Sequence, residues 1–250
     1  TEKKPKNKIT ENKEKYDLDY WEKHVDIYAK FIRKHKEHIF AAVELDIEYL
    51  VGLEKVDEWR EKYFRPLEKE GIQIIYVWHE ERGLSGWEDM CKRFPYVGMT
   101  FAVGTINEQN VIKMFNIAKK YRTLVHGFAV SGGYLLTKFP FYTSDSSTWL
   151  VGTQYGEISF FEGRKLSRLK KAKWKTIYKS RLIRLGANWT LLEREDAYEM
   201  QRVCMLAFIE LEKYVRKSMF NKWYWKGGNR EVAKKLKIKK KVVDEKSEEI

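Results

Sequence analysis

Short apolar runs alternating with amphipathic stretches constrain this chain more than any other feature. Five runs lie at residues 40–46, 72–79, 96–103, 124–130 and 141–145, and a sixth at 158–161. Each is mostly apolar rather than apolar at every second position, the pattern of strands buried on both faces. Between them the spacing turns helical. Residues 19–38 place Trp21, Val25, Tyr28, Phe31 and Ile32 on one face. Residues 54–70 do the same with Val56, Trp59, Tyr63 and Leu67, with Pro66 expected to kink the helix and Gly71 to end it. A short helix is expected over 86–94 and another over 132–139. Asn107 is expected to cap a helix to about Tyr121 that turns Val111, Ile112, Phe115 and Ala118 inward. Alternation of this kind predicts an α/β fold with parallel strands, either a doubly wound sheet or a TIM barrel. No Gly-x-Gly-x-x-Gly follows the early strands and no Walker loop occurs, which argues against a nucleotide cofactor. A closed barrel needs eight strands. Six runs therefore predict a barrel incomplete at its N-terminus, with two strands preceding Thr1.

With 43% apolar and 15% aromatic residues in 250, the chain can bury a core and is not disordered throughout. Two cysteines, Cys91 and Cys204, exclude a disulfide framework and a Cys-rich zinc site, and fit a reducing compartment. No 18-residue apolar run exists, and residues 1–15 are too polar for a secretory signal. A cytoplasmic location is the expectation.

The net charge of +13 is unevenly placed. Residues 164–184 hold ten basic residues and no acid; residues 213–241 hold twelve and one acid; residues 16–163 hold 18 against 22, a net of −4. Both basic runs contain aromatics, Trp174 and Tyr178 in the first, Phe220, Trp223, Tyr224 and Trp225 in the second. Cations interleaved with rings suit a polyanion with stacking bases, so nucleic acid is the expected partner. A merely solvated face is the competing account. The expected organisation is a charged segment 1–18, a barrel-like domain 19–163, a basic linker and long helix 164–226, and a Lys-rich disordered tail 227–250. Thr190 and Glu193 have the spacing of a capping box before the long helix, whose 203–209 stretch reads apolar on every side.

Each strand ends in a polar residue or glycine: Asp46, His79, Gly104, His126-Gly127 and Ser144-Asp145-Ser146. In barrels, active sites lie at the C-terminal strand ends. Asp145, among hydroxyls, reads as a nucleophile or base oriented by them, or as a turn cap. Glu44 and Asp46 alternate along a strand, so a paired-carboxylate site is one reading. Asp46, His79 and His126 would be the ligands of a metal-dependent hydrolase, but no local ligand spacing supports it, and no metal is expected.

The strand-end segments resemble a known family. Val43-Glu-Leu-Asp46-Ile, Val77-Trp-His79, Leu124-Val-His126-Gly-Phe-Ala and Phe141-Tyr-Thr-Ser-Asp145-Ser-Ser-Thr-Trp149 are similar, in order and spacing, to the tRNA-guanine transglycosylase superfamily. The likeness is to its short phage and bacterial branch, which places 7-deazaguanines in DNA. It covers about residues 19–161 and is most specific at the Ser-Asp-Ser-Ser-Thr-Trp segment. The resemblance implies a TIM barrel and a base exchange in which Asp145 attacks the anomeric carbon. It implies base-binding roles for Asp46, His79, Gly104, His126, Gly127 and Ser144, a 7-deazaguanine base as co-substrate and no other cofactor. Tyr142 or Trp149 would stack on an extruded base, or pack in the core. Arg164, Lys165, Arg168, Lys170, Lys171 and Lys173 would meet the nucleic-acid backbone. The family's second catalytic aspartate, in an Asp-Ser-Gly motif, has no counterpart before Asp19, so a preceding segment or a separate chain is expected to supply it. The missing Cys-rich zinc motif favours DNA over tRNA. The competing expectations are tRNA-directed exchange and a non-catalytic nucleic-acid-binding barrel remnant.

Overall fold

Strand and helix alternate as the pattern predicts in a computed structural model that describes residues 18–100 and 107–219. The chain divides into two compact units between Val77 and Trp78.

The first unit opens with α1 (Leu18–Lys34), which buries Val25, Ala29 and Ile32. Phe31, expected inward, is 53% exposed. There follow β1 (Ala42–Val43), α2 (Glu48–Val51), α3 (Leu53–Trp59), α4 (Arg65–Lys69) and β2 (Ile74–Val77). The two strands are parallel, with Ala42 opposite Ile74. The expected kink before Pro66 takes the form of a π-helical turn, Arg60–Phe64, between α3 and α4. Pro66 has no N–H to continue the i→i−4 ladder, and a π turn absorbs the break. The wider turn also changes one position of the buried face. Phe64 lies in the core with Val56, Trp59 and Leu67, in the place the 3.6-residue period assigned to Tyr63. Gly71, at φ +87, ends the helix as read.

In the second unit Trp78 donates its backbone N–H to Gly98. The unit continues through α5 (Gly83–Arg93), β3 (Tyr96–Thr100), α6 (Glu108–Tyr121), β4 (Leu124–Phe128), α7 (Gly133–Lys138), β5 (Thr143–Ser144) and α8 (Thr148–Val151). β3, β4 and β5 are parallel and lie in chain order. Asn107 caps α6 by accepting the Gln109 N–H. Val111, Met114, Phe115 and Ala118 face inward, while Ile112 is 43% exposed. The fold is thus mixed α/β with parallel strands in both units.

The rest of the second unit is β6 (Ile158–Glu162), β7 (Lys165–Leu169), α9 (Lys171–Lys175), α10 (Lys179–Leu185), α11 (Trp189–Glu193) and α12 (Ala197–Met219). The sixth apolar run is therefore a strand, but one paired antiparallel with β7. The reason is local: Gly163, at φ +65, permits a tight turn that sets Glu162 opposite Lys165. The start of the expected basic linker is thereby a hairpin strand. Ile158, Phe160, Leu169, Trp174, Leu182, Leu192, Met200, Val203 and Cys204 form one core. The capping box expected at Thr190 is not what starts the long helix. Asn188 caps α11, Asp196 accepts the Glu199 N–H at the start of α12, and Glu195 at φ +63 breaks the chain between them. Nor is α12 buried all round, since Met205 and Ile209 are exposed. No helix among the described residues is long and apolar enough to cross a membrane.

Candidate active site

Strand register assembles the site in the second unit. His126 on β4 stands opposite Thr143 on β5, and Gly127 opposite Ser144. Partners in register project from the same face of a sheet, and His126 Nδ1 lies 2.7 Å from Thr143 Oγ1. The Tyr96 hydroxyl, from β3, hydrogen-bonds the same Thr143 oxygen.

Asp145 follows β5 directly. Its backbone N–H donates to Gly127 (3.2 Å), which holds the chain beside β4. The side chain is 66% exposed. Its Oδ1 accepts the Ala129 N–H at 3.1 Å and lies 3.4 Å from His126 Nε2. That separation is an ion-pair distance without hydrogen-bond geometry, and Nε2 is buried with no hydrogen-bond partner among the described residues. Burial holds the His126 pKa below its usual 6.5, against the opposing pull of the Asp145 charge. The imidazole is therefore neutral at pH 7. Ala129 sits at φ +57. A left-handed alanine costs about 1–2 kcal/mol, and here that conformation accompanies an N–H given to the carboxylate.

Asp145 is thus held by a backbone amide, with a neutral imidazole beside it. The neighbouring hydroxyls, expected to orient it, bond to one another instead. Thr148 Oγ1 donates to Ser131 Oγ (2.9 Å), and Ser146 Oγ accepts the Thr148 N–H (3.1 Å). These bonds tie the loop after β5 to the loop after β4. Gly127 has a packing reason to be glycine: an added Cβ would meet Phe141 and Val130 at 2.9 Å. Ser144 is exposed at the end of β5. The two proposed stacking rings pack inside. Tyr142 makes an edge contact with Tyr96, and burial pushes its hydroxyl up to about 12; Trp149 packs on the hairpin core. Phe128 stands edge-on to His126, ring centroids 4.4 Å apart.

The other site residues lie on other elements. Gly104 lies outside the described residues. His79 is half-buried after β2, its carbonyl accepting the Arg82 N–H. In the first unit Asp46 is exposed, but Glu44 is not available as its catalytic mate. Glu44 is 2% exposed and accepts Arg60 Nε–H at 2.7 Å, with a second Arg60 nitrogen on its other oxygen. A guanidinium fork that occupies both oxygens overturns the paired-carboxylate reading.

Arg164, Lys165, Arg168, Lys170, Lys171 and Lys173 are all exposed, on the hairpin turn, β7 and α9. Lys171 pairs with Glu195 at 2.5 Å. The other five have no carboxylate partner among the described residues. The rings between them are structural. Trp174 is fully buried and donates Nε1–H to the Gly156 carbonyl; Tyr178 packs on Phe160. Phe220, Trp223, Tyr224 and Trp225 lie outside the described residues. The basic turn approaches the site's own loop, since a Cβ on Gly133 would come 3.0 Å from the Arg164 carbonyl. Gly133 follows Ala129 by four residues.

Sequence reasoning gave no role to Tyr96, Thr143 or Ala129. Thr143 carried a signal, because period-2 alternation puts it on the face of Asp145. Tyr96 and Ala129 carried none, since register and a left-handed turn bring them in. Comparison of the chain with protein-family models, curated proteins and solved structures finds no match.

Proposed function

We propose that this chain exchanges a purine base in nucleic acid, guanine for a 7-deazaguanine in DNA, through a covalent intermediate on Asp145. The reading takes the parallel β/α repeats as those of an incomplete (β/α)8-type barrel. What carries it is the state of Asp145: a carboxylate at a strand's C-terminal end, exposed, with one oxygen held by the Ala129 amide and no lysine or arginine paired to it among the described residues. Such a group keeps its charge and a lone pair for a substrate.

The chemistry needs those properties. The carboxylate attacks C1′; the C1′–N9 bond breaks and its electron pair leaves with guanine, which takes up a proton. The incoming base loses its N9 proton and attacks C1′, and the carboxylate leaves. Two displacements retain configuration. His79, two residues past the end of β2, would read the base, with Ser144 and Gly104. The five unpaired cations would take the backbone, and a duplex would give up its nucleotide by flipping. The co-substrate is the free deazaguanine base.

Asp145→Asn is expected to lower incorporation of labelled base into DNA by about 10³-fold or more, with DNA affinity unchanged. Unchanged exchange would sink the assignment. The exposed cations favour a second reading, a nucleic-acid-binding module without chemistry. It predicts steeply salt-dependent binding and no exchange by the wild type on DNA or tRNA.

A further inference from the structure

The geometry points to His126 as a positioning residue for Asp145, set in one tautomer by the buried Tyr96–Thr143 hydroxyl pair, so that Nε2–H faces Oδ1 and Oδ2 is left for attack. The part concerning attack rests on the transglycosylase reading; the tautomer does not.

The argument is a proton count. Thr143 Oγ1 has one proton and two partners, the Tyr96 hydroxyl and His126 Nδ1. Tyr96 donates to Thr143 and Thr143 donates to Nδ1, or the whole chain runs backwards, or Thr143 accepts from both partners. Acceptance from both leaves the Thr143 proton without an acceptor among the described residues and, like the backward chain, puts a bare Nε2 lone pair beside Asp145. The backward chain puts the imidazole proton on Nδ1. It leaves a bare Nε2 lone pair 3.4 Å from a carboxylate oxygen, which is repulsive. It also strands the Tyr96 proton, because Tyr96 is 1% exposed and its hydroxyl has no acceptor but Thr143 among the described residues. The forward chain uses every proton and puts Nε2–H beside the negative oxygen. Burial raises the Tyr96 pKa above its normal value, which keeps it a donor.

The consequence for Asp145 is an asymmetry between its oxygens. Oδ1 faces Nε2–H and accepts the Ala129 N–H; Oδ2 has no hydrogen bond among the described residues. A carboxylate fixed through one oxygen presents the other in one direction, which is what displacement at a carbon centre needs. Nδ1 is filled by Thr143, the ring is buried, and the Nε2 proton is turned to Asp145 rather than to a leaving group. The role of His126 is orientation.

The test uses the full chain with ¹⁵N-labelled histidine, and His126 is assigned by loss of its signals in His126→Gln. The long-range ¹H–¹⁵N pattern should show Nε2 protonated and Nδ1 a hydrogen-bonded acceptor. A protonated Nδ1 in the wild type would overturn the inference. Thr143→Val, which keeps the shape and removes the hydroxyl, should weaken the tautomer preference, leaving only the Asp145 charge to favour Nε2–H, and lower kcat for exchange about tenfold or more at unchanged KM for the base. Thr143→Ser should restore both. If Thr143→Val is poorly folded, Tyr96→Phe reads the same chain, because it removes the donor that Tyr96 gives Thr143. A tautomer preference unchanged in both variants also overturns the inference. Unimpaired exchange by Asp145→Asn would remove the nucleophile but leave the tautomer result standing, so the two failures are separable.

Discussion

Two carboxylates at strand ends, one in each unit, have opposite surroundings. Glu44, just after β1, is buried; both of its oxygens are occupied by Arg60, whose Nη1 also bonds Asp57 and whose Nη2 donates to the Val77 carbonyl. Asp145, just after β5, is exposed and meets only a backbone amide and a neutral imidazole. A carboxylate neutralised by a guanidinium fork in the core is committed to holding strands and helix together. A carboxylate steadied at the surface by a backbone amide, beside an uncharged ring, has no cation committed to it among the described residues. Partnership, not the residue type or its place in a strand, separates structure from candidate chemistry here.

The largest effect that probes this contrast is on stability. Arg60→Met leaves Glu44 buried without its cation, and loss of one partner of a buried pair costs about 3–5 kcal/mol. Urea denaturation of the variant should show that loss. Adding Glu44→Gln should recover part of it, because the uncompensated charge goes. Asp145→Asn, at an exposed side chain, should stay within about 0.5 kcal/mol of wild type. Equal costs at the two sites would erase the distinction.

The same contrast explains what could be read from the letters. Helix and strand order was legible, because burial on both faces of a strand and on one face of a helix leaves periods of its own. The Asn107 cap was legible from one residue. The face of the 54–70 helix differs from the expectation at Tyr63 alone, because the π turn before Pro66 brings Phe64 inward in its place while Leu67 stays buried. The β6–β7 hairpin was half legible: Ile158-Ser-Phe-Phe is apolar, but β7 is Lys-Leu-Ser-Arg-Leu and hides a strand in a charge run. Asp145 was visible as a strand-end carboxylate. The partners that hold it were not, because the Thr143–His126 contact needs the β4–β5 register and Ala129 needs a left-handed turn.

Partnership also separates the cations, with a smaller expected effect. Lys171 shares its charge with Glu195, whereas Lys165, Arg168 and Lys173 have no acidic partner among the described residues. If these three neutralise phosphates, replacing them with alanine should flatten log Kd against log salt by about 0.9 per contact on duplex DNA. Lys171→Ala should change the slope less. Fluorescence anisotropy over a salt series measures both. Equal slopes for wild type and the triple variant would place the nucleic-acid surface elsewhere.

The smallest effect lies in pH dependence, and it tests whether Asp145 really faces a neutral imidazole. Burial lowers the His126 pKa in the folded chain below its ordinary 6.5, and the Asp145 charge only partly offsets this. Between the two pKa values the unfolded chain binds a proton that the folded chain does not, so stability rises with pH across that window. The contribution is flat above about 6.5 and is lost as pH falls through the folded value. His126→Gln should remove that acid-side slope while leaving the rest of the stability profile parallel to wild type. Were Asp145 instead to dominate, the folded pKa would lie above 6.5 and the sign would reverse. The wild type would then gain stability relative to the variant as pH falls, and Asp145 would be an ion-paired carboxylate of the Glu44 kind.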